Sequence, residues 1–354
     1  MPFYYRMPKG AAGKRIAEGL LRLRTKLDAE VPVRTREETL LLATWNIREF
    51  DSTKYGLRTD DAFFYLAEVV SHFDLVAIQE VRSDLSALER LQRQLGYWWK
   101  YLVTDVTEGA RGNRERMAFL YDGRKVRFAG LAGEIVLPPV TVVEPDGSRV
   151  TKPVDQLYRT PYLAAFQAGW FKFMLSTVHV LYGENKAEPP ERIQEISSVA
   201  RFLRDRANHP DAWSPNLVLL GDFNIYARDD LTFSAIVDAD FSVPEALQRI
   251  PGSNVRRDRF YDQIAFSTHA RAAVECSAAG VFDFYECVFR DEDEATYVPL
   301  MGEAYTTTSR GTPREDPGDY YRQWRTYQMS DHLPMWVELR VDFGERYLKK
   351  QAEQ

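Results

Sequence analysis

Cysteine is nearly absent: Cys276 and Cys287 are the only two in 354 residues. Two thiols make at most one bridge, so no disulfide framework holds this chain, and no cysteine cluster has zinc-site spacing. Both flank apolar segments, and both are expected as buried thiols. Long apolar runs are missing as well. Nothing approaches the roughly 18 consecutive apolar residues that read as a membrane span. The N-terminal stretch has no apolar core of signal-peptide length. A cytoplasmic location is the default expectation, with export lacking a cleavable signal as the open alternative. An excess of positive charge is also missing: 46 Lys and Arg stand against 52 Asp and Glu, a net charge of −6. The global signature of a nucleic-acid binder is therefore absent. A nuclease is not excluded, because it needs only a local basic surface beside a carboxylate-rich site.

Hydrophobic residues at 45% are enough for a sizeable core at this length. Residues 1–36 stand apart as a basic helical extension. Within it, Lys14 to Leu27 reads as an amphipathic helix with Ile16, Leu20, Leu23 and Leu27 on one stripe. The favoured reading is a helix packed on the body; an arm facing nucleic acid or membrane is the sharper one. From Leu40 onward, short apolar runs of strand length recur at 40–45, 74–79, 116–121, 161–167, 171–179, 216–223, 262–268 and 334–341. Helical patterns fall near 59–72 and 189–206, the second after Pro189-Pro190. Many strands with a few long helices imply a layered α/β arrangement, sheets covered by helices. Residues 138–157 carry an Asp-Gly turn and are expected as a hairpin, while 290–328 read as a polar insertion. The Tyr/Trp/Arg cluster at 320–327 suits either a stacking groove or a local core.

The apolar runs share a feature. Several end in, or adjoin, a polar residue that is costly to bury unless it is paired or bound to something. The first runs into Asn46, the second into Glu80, and the fifth into His179. The sixth ends in Asp222-Phe223-Asn224, and Ser330-Asp331-His332 precedes the last. One such residue would be an ordinary turn signal. Several on separate strands imply an acidic pocket with two imidazoles. Hard oxygen donors suit Mg²⁺, with Mn²⁺ or Ca²⁺ as alternatives. A metal held by one or two carboxylates polarises a phosphoryl oxygen and stabilises the leaving oxyanion.

The order of short motifs adds a family. TWNIREF (44–50), IQEVRSD (78–84), RERMAFLYD (114–122), RTPYLAAF (159–166), STVHV (176–180), LLGDFNIY (219–226), YDQIAF (261–266) and MSDHLPMWVEL (329–339) follow one another. In this series the chain resembles the endonuclease/exonuclease/phosphatase superfamily, in its deoxyribonuclease I-like branch, over about residues 38–342. The resemblance implies an α/β (α+β) four-layered sandwich, two packed and mostly antiparallel sheets flanked by helices. It implies a catalytic domain over 37–343, followed by a C-terminal tail at 344–354. Asn46 and Glu80 match the family's metal-site pair, and Asp331 its second acidic ligand. Asp222 and Asn224 match the pair that positions water and phosphate. His332 with Asp262, and His179 with Glu115, match two histidine–carboxylate pairs. Arg159 matches a phosphate-contacting arginine, and Arg48 and Arg82 match DNA-contacting positions of that branch.

These matches imply a Mg²⁺-dependent DNA endonuclease acting by in-line attack of water, with nucleic acid, DNA above all, as partner. The alternative on the same fold is a phosphodiesterase or phosphatase acting on lipid or inositol head groups. Departures from the branch are Asn113 where a tyrosine packs on the sugar, Gln263 in place of arginine, and the absence of the secreted disulfide pattern. His72, His209 and His269 fall in no motif and carry no assigned role.

Overall fold

The computed structural model describes residues 2–50, 52–108, 112–267 and 275–353; His269 lies outside them. The first half of the chain forms α1 (Gly10–Glu30), β1 (Thr39–Phe50), α2 (Asp60–Ser71), β2 (Leu75–Val81), α3 (Ser86–Leu95), β3 (Trp99–Val103), β4 (Arg116–Asp122) and β5 (Val126–Glu134). A hairpin of β6 (Val140–Val143) and β7 (Arg149–Lys152) follows, then β8 (Tyr162–Ala168), β9 (Phe171–His179), α4 (Pro190–Asn208) and β10 (Leu217–Asp222). The remainder is α5 (Leu231–Val237), β11 (Phe241–Ser242), α6 (Glu245–Gln248), β12 (Asp262–Ser267), β13 (Cys276–Val281), α7 (Glu294–Met301), α8 (Pro317–Gln328), β14 (Met335–Arg340) and α9 (Gly344–Ala352).

Two six-stranded sheets result, in the orders β13-β14-β1-β2-β4-β3 and β11-β12-β10-β9-β8-β5. In each sheet the central pair is parallel, β1 with β2 and β9 with β10. The other pairs among the described residues are antiparallel, and helices flank both sheets. This is the expected α/β sandwich. The central strands explain its stacking. Leu40 to Ile47 of β1 are wholly buried, and β1 meets β10 and β12 of the other sheet. A near-continuous apolar run is what a strand covered on both faces requires.

The helices follow from their stripes. Thr59 caps α2 by accepting the Ala62 N–H, and Asp60 and Asp61 suit the positive end of the helix dipole. α2 is buried almost throughout because α1 covers it. Ile16, Leu20, Leu23 and Leu27 of α1 are buried in the apolar core shared with both sheets, so that stripe faces the body of the molecule. Gly19 permits the close approach, since a Cβ there would sit 2.3 Å from the Tyr65 hydroxyl. Both cysteines are free; Cys287 is buried, whereas Cys276, expected buried, is half-exposed on the edge strand β13.

Residues 290–328 differ from the polar insertion expected of them. They contain α7 and α8, and Tyr321, Trp324 and Tyr327 are buried. Tyr321 and Trp324 stack within a knot that includes Tyr297 and Phe289. Aromatic burial offset the polar composition there, and the cluster is local core. Residues 344–352, expected as a tail, form α9 with no buried residue. No helix among the described residues is long and apolar enough to cross a membrane.

Candidate active site

The parallel central pairs bring polar strand ends to one edge of the sandwich. On one sheet, Asn46 ends the regular part of β1 and Glu80 lies at the end of β2; the register shifts between Asn46 and Phe50. A bulge of this kind re-aims side chains. Glu80 takes a left-handed backbone (φ 61°), and its Oε2 accepts the Glu49 N–H at 2.7 Å. On the other sheet, Asp222 of β10 is in register with His179 of β9 and with Asp262 of β12. Three adjacent strands thus present their site residues in one row. Gly221 makes the row possible: its φ is 135°, and a Cβ would lie 2.1 Å from the Val178 carbonyl oxygen. Asn224, also left-handed (φ 54°), turns back so that its N–H donates to Asp222 Oδ1 at 2.9 Å. Its side-chain amide donates to the Val180 carbonyl at 2.8 Å.

Asp222 is the hub. Its Oδ2 accepts from Asn46 Nδ2 at 3.0 Å and lies 3.5 Å from His179 Nε2 and 3.7 Å from His332 Nε2. Each imidazole is backed by a carboxylate at its other nitrogen. His332 Nδ1 is 2.8 Å from Asp262 Oδ2. His179 Nδ1 is 2.9 Å from Glu115 Oε2, an ion-pair distance without a well-aligned hydrogen bond. Burial alone would favour a neutral His332. Asp262 and Asp222 outweigh it and hold the proton well above the usual imidazole range. His179 is raised as well: burial and Arg159 oppose its charge, and Glu115 and Asp222 prevail. Glu115 is driven down to about 2 against its own burial, by His179 and by Arg159, whose Nε donates to Glu115 Oε2 at 2.8 Å.

The opposite wall is acidic. Glu80 accepts from Asn46 Nδ2 at 2.8 Å. Burial raises its pKa, and Glu115 and Asp331 add to that while His179 opposes. Asn46 Oδ1 is buried with no hydrogen-bond partner. Carboxylates repelling one another beside an unsatisfied oxygen are a donor set that a hard cation would relieve. Glu80 and Asp331, with Asn46, are the residues that could hold one. Among the described residues no group of three or more His, Cys, Asp or Glu is placed to hold a metal ion.

Ten of the twelve expected site residues line one open cleft of about 580 Å³; Asn46 and Asp262 stand behind it. Arg159 reaches the cleft with Nη1 buried and unpartnered. Arg48 is held at the rim over the Tyr327 ring (4.2 Å), 3.3 Å from Asp331. Arg82 is looser, donating to the Asn113 carbonyl at 3.4 Å. Sequence reasoning missed the serines that build the frame. Ser330 Oγ donates to the Asn46 carbonyl at 2.6 Å and accepts the N–H groups of Arg48 and His332, tying the two sides together. Ser253 Oγ donates to Asp262 Oδ2 at 2.6 Å. It also missed Tyr261, whose ring lies 5.4 Å from that of His332.

This sandwich edge and its paired imidazoles define a class, and comparison with known proteins gives it a name. The model of the Endonuclease/Exonuclease/phosphatase family matches residues 43–236, and the chain belongs to that family, whose members are hydrolases acting on phosphoester bonds. A deoxyribonuclease of Thioalkalivibrio sp. (strain K90mix) is 27% identical over 231 residues, covering 64% of this chain. The match spans 57% of that protein's length. Three solved structures share the fold. D. rerio TDP2 humanized by 14 mutations aligns at TM-score 0.52 and 13% identity over 85% of this chain and 98% of that one. The Bacteroides thetaiotaomicron VPI-5482 mannosyl-6-phosphatase Bt3783 aligns at 0.53 and 16% over 85% and 99%. The human nocturnin catalytic domain with bound sulfate aligns at 0.51 and 12% over 87% and 96%.

Proposed function

We propose that this chain is a Mg²⁺-dependent phosphodiester hydrolase and that DNA is its favoured substrate, cut internally by in-line attack of water. The observation that carries the reading is the convergence of His179 Nε2 and His332 Nε2 on Asp222 Oδ2, each ring backed by its own buried carboxylate. Asp222 is placed to take the proton of the attacking water. The two rings, both favoured as cations, donate to non-bridging phosphate oxygens as charge builds. Arg159, in the cleft wall beside Glu115, adds its positive charge to the same phosphate. Asn224 holds Asp222 in place through its backbone N–H. A Mg²⁺ on Glu80 and Asp331 would supply Lewis-acid stabilisation of the leaving oxygen. The substrate choice draws on Arg48 and Arg82 at the cleft rim, and on the likeness to a deoxyribonuclease.

The test is a panel of supercoiled plasmid, RNA and phospholipid head-group diesters, with Mg²⁺ and with EDTA. Plasmid nicking that EDTA abolishes is expected. His332→Ala should lower kcat by about 10²–10⁴-fold with the fold retained. Turnover of lipid or inositol esters without nicking would replace DNA as the substrate, and near-wild-type nicking by His332→Ala would remove the assigned site.

A further inference from the structure

A second hollow of about 620 Å³ opens beside the catalytic cleft and shares Arg48, Tyr261, Asp331 and His332 with it. Its far wall is the loop 254–259, with the sequence Asn-Val-Arg-Arg-Asp-Arg. The loop is stitched to the catalytic turn. Val255 N–H donates to the Asp331 carbonyl at 3.1 Å, and Leu333 N–H to the Ser253 carbonyl at 2.6 Å. Asn254 forms a bridge with His332, and its Oδ1 accepts the N–H groups of Asp258 and Arg259 at 2.9 Å.

The loop carries three arginines against one carboxylate. Arg256 is exposed, and Arg259 lies over the Tyr226 ring at 4.4 Å. Among the described residues no salt bridge within 4.0 Å includes either of them. The one carboxylate on the loop, Asp258, accepts from Asn254 Nδ2 at 2.7 Å. A guanidinium fixed by a ring face rather than by a carboxylate keeps its charge for an outside anion. Tyr226 is itself fixed, its hydroxyl 2.6 Å from that of Tyr182 and donating to Asn185 at 2.7 Å. Tyr261, 5.8 Å from Tyr226, continues the aromatic surface back to His332.

We propose that this hollow is the track for the nucleic-acid strand flanking the cut. A flanking phosphate rests on Arg256 and Arg259, and its sugar or base lies along Tyr261. The assignment rests on the nuclease reading above, and it explains what a single small head group would not need: a second basic hollow continuous with the first.

The test measures kcat/KM on an oligonucleotide and on the small diester bis(p-nitrophenyl) phosphate, for the wild type and Arg256→Ala/Arg259→Ala, across a salt series. The ratio of oligonucleotide to small-diester kcat/KM is expected to fall at least tenfold in the double variant. The slope of log kcat/KM against log salt should fall by about one, for the one flanking phosphate that the two arginines hold. Arg256→Ala alone, whose exposed side chain supports no packing, should show part of both effects. An unchanged ratio and slope in an enzyme that still cuts the oligonucleotide overturns the track and leaves the nuclease reading standing. A wild type that hydrolyses the small diester but no oligonucleotide overturns that reading and the track with it.

Discussion

Asp222 Oδ2 has three partners, and the polar row behind it decides how they are held. Asp262 rests on two contacts, His332 and Ser253, while its Oδ1 is buried without a partner. Removing the Ser253 hydroxyl takes one charge-assisted bond, worth about 1.5–3 kcal/mol, from a carboxylate that has little else. Ser253→Ala should therefore lower kcat about tenfold with KM within twofold, because the ring it steadies acts on the reacting phosphate and not on remote binding. Steady-state kinetics on a nucleic-acid substrate checks this; an unchanged kcat would separate Ser253 from the site. The contrast with its neighbours shows what a sequence reveals at this scale. Asn46, Glu80, His179 and Asp222 were legible because each interrupts or ends an apolar run, where a polar side chain is costly without a purpose. Glu115 and Asp262 were legible through motif order. Ser253 follows Pro251-Gly252 and reads as an ordinary turn residue; its meaning comes from Asp262, nine residues on, whose carboxylate it holds.

Elements were legible where burial is two-sided and hidden where it is partial. β1, β2, β9 and β10 announce themselves as apolar runs, and they are the strands that carry the site. β3 and β5 were not read, because each closes an edge of its sheet and mixes Lys, Arg and Gly into a half-covered surface. α3 buries only Ala87, Leu88, Leu91 and Leu95, a narrow stripe among charges. The link from α4 to the site was equally hidden. Arg192, with no exposed surface, donates to the carbonyls of Leu181, Tyr182, Lys186, Ala187 and Asn224, holding the loop after His179 against the turn after Asp222. Arg192→Met keeps the apolar stem and strips every donor, leaving the buried carbonyl bonds at Leu181 and Asn224 unmade at about 1–3 kcal/mol each. A loss of about 3 kcal/mol or more in urea unfolding is expected; a loss below about 1 kcal/mol would show that water replaces the guanidinium. Gly221→Ala should be worse, since the Val178 backbone cannot retreat without breaking the register that aligns His179 with Asp222.

The molecule as a whole has two charged poles, and acid should act on them differently. At the pole opposite the cleft, Asp122 at the end of β4 accepts from Arg34 Nη2 at 2.8 Å and from Arg124 Nε at 2.9 Å. Arg34 also reaches Asp74 at 2.6 Å, as does Lys125, so the segment after α1 is clamped to the first sheet. Burial alone would raise the Asp122 pKa; Arg124 and Arg34 outweigh it and bring it to about 2. The folded pKa therefore lies below the unfolded one, and the unfolded chain binds the proton more readily as pH falls. The stabilisation is fully present above the unfolded value near 4 and is lost as pH drops through about 2. Its size is at most about 2.5 kcal/mol, and nearer 1 after solvent screening at the exposed Arg124. Asp122→Asn should thus lower stability at pH 7 by about 1 kcal/mol and flatten the acid limb of the stability curve between about pH 4 and pH 2. Thermal unfolding of both proteins across that range reads the difference directly. Parallel acid limbs would mean that the clamp holds by packing, whereas converging limbs identify the charge on Asp122 as what fixes α1 and its following segment to the sandwich.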